Sequence, residues 1–459
     1  MRLLGFLSVL AICAMAATSN AAPRGYDVVV VGNTPAAVSA AVAAGRRGMH
    51  VALVSRDVVL GGELVRAMVT QWDVQDAPHG ASVLSGLFRT FYAELPSGFD
   101  PEFAAGYFRR TIDGQRDVDW IAGVRGLRAF GRQTETGRIL SSITFGTRSG
   151  KTVRLTAPCF IDATNDGDLA ASAGAAYDVG RQDQGRDMRM QPVTLLFELA
   201  GVDWNRVRSS YDPQRFGPGS SHSSDAFGYS LLVRRYRPVS RYAMVPDINF
   251  QLQRDGMVVV NAIDILGIDG RKPAELTRAR AIAEVETKHF VLFLRSQLPG
   301  FEHAHIARFA PEPYVRETRH IRGLATITAY SIWHGARPYD TVALAAYPID
   351  VHPITRDEHG GDGWAEEPRL YGVPLRALVV DGLHNLAIVG PAVSATHTAS
   401  GSVRVEPTTI SEGEAAGGAC AFSVRHRQDL VRIATSRPLM RALQRDLEAH
   451  GLTTAQPAN

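Results

Sequence analysis

The chain has 459 residues, 45% hydrophobic and 21% charged, a globular composition with room for two or three packed units. Its 49 basic residues face 46 acidic ones for a formal net charge of +3. The basic residues are scattered and nearly all arginine, which argues against a nucleic-acid surface, and three cysteines without a C-x-x-C spacing argue against a dithiol enzyme or a cysteine-held cluster.

Residues 1–21 read as a secretory signal: Met1 and Arg2, an apolar run from Leu3 to Ala17, then small residues up to a cleavage point after Ala21. The apolar run, at roughly 15 residues, falls short of the ~20 that a membrane span needs, so a periplasmic or secreted protein with no span after cleavage is expected. Tyr26 through Ser55 then reads as strand, tight turn, small-residue helix and strand. The first strand is Val28–Val31 and the second runs from His50 to Val54. Laid on G-x-G-x-x-G/A, the dinucleotide fingerprint, Gly32 fills the first position, Thr34 stands at the second and Ala37 fills the third. Ser55 stands where an acid usually holds the ribose, and Arg56 beside it would suit a 2′-phosphate, which keeps NADP in view.

A glycine pair, Gly61 and Gly62, would let backbone pass close to a ligand. A helix over Val83 to Leu95 follows, then a hairpin of Ile139 to Phe145 and Thr152 to Leu155, leading into a strand at Cys159 that ends in an acid-rich turn through Asp166. Cys159 and Cys420 both look like small core residues, and a disulfide between them stays open. The texture changes from about Gly180: strands over Val193 to Leu199, Tyr242 to Leu252 and Met257 to Ile265, and a long helix over Pro273 to Leu298. Two inserts, Ser209 to Ser230 and Pro353 to Pro368, read as surface loops, with a lid as the alternative. An apolar strand over Leu386 to Val389 ends at Gly390, and an alanine- and glycine-rich helix covers Thr408 to Val424.

Three stretches together resemble an FAD-dependent oxidoreductase family: GNTPAA from Gly32, IDATNDGDLA from Ile161, and SATHTASGSVRVEPTTISEGEAAG from Ser394. The resemblance implies an α/β fold with a Rossmann-like, glutathione-reductase-like FAD domain built from both chain ends and an inserted α+β substrate domain. The expected layout is a FAD-binding domain over 26–179 and 372–430, a substrate domain over 180–371, and a helix and tail over 431–459. It implies FAD contacts from Gly32, Thr34, Ala37, Ser55, Gly61, Gly62, Asp166, Gly390, Thr408 and Thr409, the last two at the mouth of a helix whose free N–H groups would face the flavin. Pro391 replaces the family's usual charged residue and has no N–H to donate. Asn165 and Glu414 also depart from the pattern.

The expected activity is hydride transfer from a small organic substrate to flavin, with electrons passed on to an unidentified acceptor. His397 is the candidate acid or base and Arg404 the anchor for an anion or carbonyl. Arg319, with Arg316 and Glu317, belongs to a charged cluster that reads either as a substrate site or as a structural ion-pair network. Tyr347, Asp350 and His352 are further candidates for the same cavity; Asp350 and His352 find no third partner for a metal, and none is expected. A flavoprotein-like binding module without catalysis, and an NADP-dependent oxidoreductase, are the alternatives.

Overall fold

Four consecutive valines with no polar alternation suit a strand covered on both faces, and Val28–Val31 stands in the middle of a parallel sheet. The sheet runs Leu386–Ile388, Cys159–Asp162, Val28–Val31, Val51–Ser55, Val118–Ala122, with every neighbouring pair parallel. The strand from the far end of the chain thus lies beside Cys159–Asp162, as the two-ended domain requires. The computed structural model describes residues 24–74, 83–358 and 369–455. The leader (1–21) and residues 359–368 of the second insert lie outside them.

Helix Pro35–Gly45 follows the first strand and packs against helix Glu406–His426. The approach is close because both helices offer small residues. A Cβ on Gly413 would stand 2.2 Å from the Ala36 carbonyl oxygen, and one on Gly417 2.3 Å from that of Ala40. A disulfide joins Cys159, on the central sheet, to Cys420, on the late helix, across 261 residues of sequence. It fastens the two halves of the FAD domain, so Cys420→Ala is expected to lower stability by roughly 2–5 kcal/mol, read as a shifted urea midpoint.

On the other side of the central sheet lies an antiparallel meander, Arg125–Thr134, Gly137–Gly146 and Thr152–Thr156. The expected hairpin is its second half.

The substrate domain holds a six-stranded antiparallel sheet and a four-stranded one, flanked by helix Pro273–Gln297. Each of the three long strands expected here is divided between the two sheets. Val193–Thr194 belongs to the smaller and Phe197–Ala200 to the larger; Ala243–Met244 and Ile248–Leu252 divide likewise, as do Asp264–Ile265 and Val258–Asn261. The linking residues Leu195, Leu196, Ala262 and Ile263 are themselves buried, so hydrophobicity runs unbroken across two of the three crossings; the third passes through the half-buried Val245, Pro246 and Asp247. The Ser209 to Ser230 insert is more ordered than a surface loop: Gly219–Ser221 and Asp225–Gly228 extend the larger sheet by pairing through to Ile248–Leu252. Among the described residues, no helix is long and apolar enough to cross a membrane.

Candidate cofactor cleft and substrate chamber

At the carboxyl ends of the central strands the chain turns tightly. Gly32 has φ +146, and a Cβ there would stand 2.3 Å from the Ala163 carbonyl oxygen at the end of the neighbouring strand. Thr34 caps helix Pro35–Gly45: its hydroxyl accepts from the Ala37 N–H (3.1 Å) and donates to Ala163 O (3.1 Å). Thr34 and Ala37 therefore satisfy each other, and Ala36 offers the N–H at the helix mouth that makes no hydrogen bond among the described residues. Gly61 and Gly62 take φ +108 and +46, and Gly62 lies so close to the turn that a Cβ would come within 3.0 Å of Thr34 Cα. Gly62, with Asn33 from the turn and Glu63, Asn165 and Asp166, lines one wall of a cleft of about 420 Å³, while Gly32, Thr34, Ala37 and Gly61 stand behind that wall rather than on it. The opposite wall comes from the substrate domain, including Pro273, Arg280 and Tyr314.

Asp166 accepts from the Thr318 hydroxyl (2.9 Å), and its carbonyl accepts from Arg319 (2.7 Å), whose other contact is Asp168 (3.1 Å). Arg319 thus braces the cofactor cleft, and its Nε is buried without a partner. Asn165 Oδ1 and Glu63 Oε2 are also unpaired and border the cleft, and burial pushes the Glu63 carboxyl up to about 7. Ser55 is more committed than the sequence suggests: its hydroxyl donates to Asp57 O (2.7 Å) and accepts from the Trp120 indole (2.9 Å), leaving one lone pair for a ribose. Arg56 turns to Asp168 (3.2 Å), which spends the charge a 2′-phosphate would need.

One expectation at the late helix needs correction. The helix starts at Glu406, and the amides of Thr408 and Thr409 both donate to Val405 O (3.0 Å each), so neither is free for a flavin. The catalytic candidates His397 and Arg404 have separate partners. His397 opens helix His397–Val403, and its Nδ1 meets Glu317 Oε1 at 2.7 Å; the same oxygen meets His320 Nε2 at 2.7 Å. Against a burial that would raise it, these two histidines hold Glu317 down at about 2, and Glu317 in turn holds His397 above its ordinary value against the burial that lowers it. Glu414, the other departure in this helix, caps a separate element: it accepts from the Leu87 N–H (2.6 Å) at the start of helix Gly86–Glu94.

Arg404 lies at the other end of the short helix, in a mixed-charge chamber. Its guanidinium donates to Asp350 Oδ2 (3.0 Å) and to the Tyr314 hydroxyl (2.9 Å). His352 sits between Asp264 Oδ2 (2.7 Å) and Asp350 Oδ2 (3.6 Å), and Arg316 reaches Thr194 (2.8 Å) and Asp264 (3.3 Å). Burial and Arg316 work against protonation of His352, but Asp264 and Asp350 outweigh them and push it up to about 9. Asp73 and Asp247 face the same charges from other elements; burial raises each to about 6, with Arg404 chiefly opposing it at Asp73 and His352 at Asp247. Tyr347 feels Asp73, Asp350 and Arg404, with burial pushing its phenol well up. The Tyr347, Asp350 and His352 candidates therefore meet at Arg404, while Asp73 and Asp247 carry no local sequence signal. Tyr314 joins the charge cluster to the cleft, because it lines the cofactor cleft and binds Arg404.

The residues fit a dinucleotide. Gly390 is buried with φ +89 and has no atom within 4 Å of where a Cβ would stand, so there is room at the end of its strand beside the other strand ends. Fold and cleft together define a dinucleotide-binding α/β protein whose cofactor domain is assembled from both ends of the chain. The sequence profile described as FAD dependent oxidoreductase matches residues 27–447, and the chain belongs to that family; it is an FAD-dependent oxidoreductase with FAD as its cofactor. No curated protein matches it in sequence. Among solved structures it is similar to p-nitrophenol 4-monooxygenase from Pseudomonas putida, at 10% identity over 93% of this chain and 88% of that one, with a TM-score of 0.45. It is also similar to a geranylgeranyl bacteriochlorophyll reductase-like protein from Thermoplasma acidophilum, at 13% identity over 93% and 84% of the chains, with a TM-score of 0.43.

Proposed function

We propose that this is an exported oxidoreductase that removes a hydride from a carbon of a small organic substrate held in the Arg404 chamber, with a separate acceptor taking the electrons afterwards. The observation that carries it is the set of opposed charges around Arg404, whose Tyr314 also borders the cofactor cleft. Bound FAD supplies the two-electron acceptor. Asp73, pushed up to about 6 by burial, is ionised at neutral pH and takes the substrate's hydroxyl or amine proton. His352, held protonated by Asp264 and Asp350, adds a second positive charge to the site. Arg404, locked to Asp350 and Tyr314, gives the chamber its shape and a fixed positive charge. Export is supported by the leader-like residues 1–21 and by the Cys159–Cys420 disulfide, which suits an oxidising compartment.

Bleaching of the flavin absorbance by a panel of alcohols and amines tests the reaction. The rate with an accepted substrate should fall as pH drops through about 6, and Asp73→Asn should lower it roughly 10²–10⁴-fold and remove that acid limb. An Asp73→Asn enzyme as fast as wild type, with the same pH profile, would remove Asp73 from the reaction. Export is read separately, from a mature amino terminus at Ala22 in the periplasm or medium.

A further inference from the structure

One buried carboxyl within the cofactor domain is half-satisfied. Glu412 has 0% exposure; its Oε2 accepts the Gly390 N–H at 3.0 Å, and its Oε1 has no hydrogen-bond partner. A buried polar atom left unpaired is destabilising, so such an atom points to a missing partner. A second, independent observation marks the same place: the buried Gly390 has open space where its Cβ would be. The residue after Glu412 is Gly413, pressed against the Ala36 carbonyl, so Glu412 stands between the mouth of helix Pro35–Gly45 and the end of strand Leu386–Ile388. The linker of a dinucleotide passes between these two features in folds of this class. Pro391, next to Gly390, contributes neither an N–H nor a charge there.

We propose that Glu412 is a cofactor-binding residue whose carboxylic acid, anchored to the Gly390 N–H through Oε2, donates from Oε1 to an oxygen of the ribityl diphosphate of FAD and replaces the contact that Pro391 cannot make. The proposal rests on FAD being the cofactor. Burial pushes Glu412 up to about 8, only partly offset by the Gly390 N–H, so the group is a neutral donor at neutral pH. As a carboxylate it would repel a diphosphate. The titratable group that senses Glu412 from a packed neighbour is Tyr371, whose phenol is buried, bonded to the Ser402 hydroxyl (2.7 Å), and shifted upward by that burial. It stays neutral through the range in which Glu412 titrates.

The test is FAD affinity, followed by quenching of FAD fluorescence on titrating apo-protein. In wild type, affinity should fall about tenfold between about pH 6.5 and about pH 9 as Glu412 ionises. E412Q keeps both an acceptor for Gly390 and a donor; it should bind FAD within a few-fold of wild type at the lower pH and lose the pH dependence. E412L should bind roughly 10–100-fold more weakly, consistent with losing a charge-assisted hydrogen bond. An E412Q protein with the wild-type pH dependence, or a folded E412L protein with wild-type affinity, overturns the proposal. Wild-type protein that binds no FAD at either pH overturns the cofactor assignment itself, a result distinct from both. The comparison of E412Q with wild type stands even if E412L fails to fold.

Discussion

Gly413→Ala is expected to cost the protein its flavin. The added Cβ would stand 2.2 Å from the Ala36 carbonyl oxygen, closer than any real contact, and that oxygen belongs to the backbone of helix Pro35–Gly45. The helix cannot retreat easily, because ten of its residues are buried. Helix Glu406–His426 must therefore move away, and overpacking of this kind typically costs about 1–3 kcal/mol, occasionally more. The larger consequence is geometric. Shifting the late helix carries Glu412 off the Gly390 N–H and opens the junction between the two chain ends. FAD affinity is expected to fall by about a hundredfold or more, equal to roughly 3 kcal/mol, with a lower melting temperature. Gly417→Ala should behave alike, since its Cβ would meet Ala40 O at 2.3 Å. Gly25→Ala is the matched control: the nearest atom to its Cβ is Thr156 Oγ1 at an ordinary 3.8 Å, and both flavin content and melting temperature should stay at wild-type values. A Gly413→Ala protein that purifies with full flavin would show that the two helices can separate without disturbing the site.

Much of the cofactor domain was legible because its signals are local. Val28–Val31, the small-residue helix after it and the late helix each carry their own periodicity or composition, and their ends fall within a few residues of expectation. The substrate domain was less legible for a physical reason. Strands such as Val193–Thr194 and Phe197–Ala200 leave one sheet for another through buried residues, so nothing in the hydrophobic pattern marks the crossing. The Cys159–Cys420 bond depends on a contact across 261 residues, to which spacing is blind. The chamber shows both cases. Arg404, Asp350 and His352 stood out as charges in apolar or small-residue surroundings. Asp73 and Asp247 look like ordinary loop acids until the fold half-buries them among those charges, and it is the lost hydration that makes them chemically distinctive. Thr408 and Thr409 show the opposite error: a helix mouth read from sequence missed that the chain one turn earlier already accepts both N–H groups.

Arg404→Met should be the most damaging single change in the chamber, and its effect should depend on pH in a defined direction. The guanidinium is 6% exposed and binds both Asp350 and Tyr314. Removing it leaves the Asp350 carboxylate buried with His352 3.6 Å away on one side, and breaking a buried pair in this way costs about 3–5 kcal/mol. Burial alone would raise the pKa of Asp350; His352, Arg404 and Arg316 reverse that and hold it below the usual carboxylate range. A carboxylate depressed on folding contributes stability above its unfolded pKa, and that contribution fades as pH falls toward its folded value. The loss in Arg404→Met should accordingly be largest near neutral pH and shrink in acid, as urea melts across that range would reveal. Adding Asp350→Asn to Arg404→Met should recover part of the stability, because the carboxylate that lost its guanidinium partner is gone. It should not recover substrate-driven bleaching of the flavin, because the fixed cation and its hold on Tyr314 are still missing. Full recovery of turnover in the double variant would reduce Arg404 to a counter-ion for Asp350 and move the substrate's anchor to Arg316 or His352.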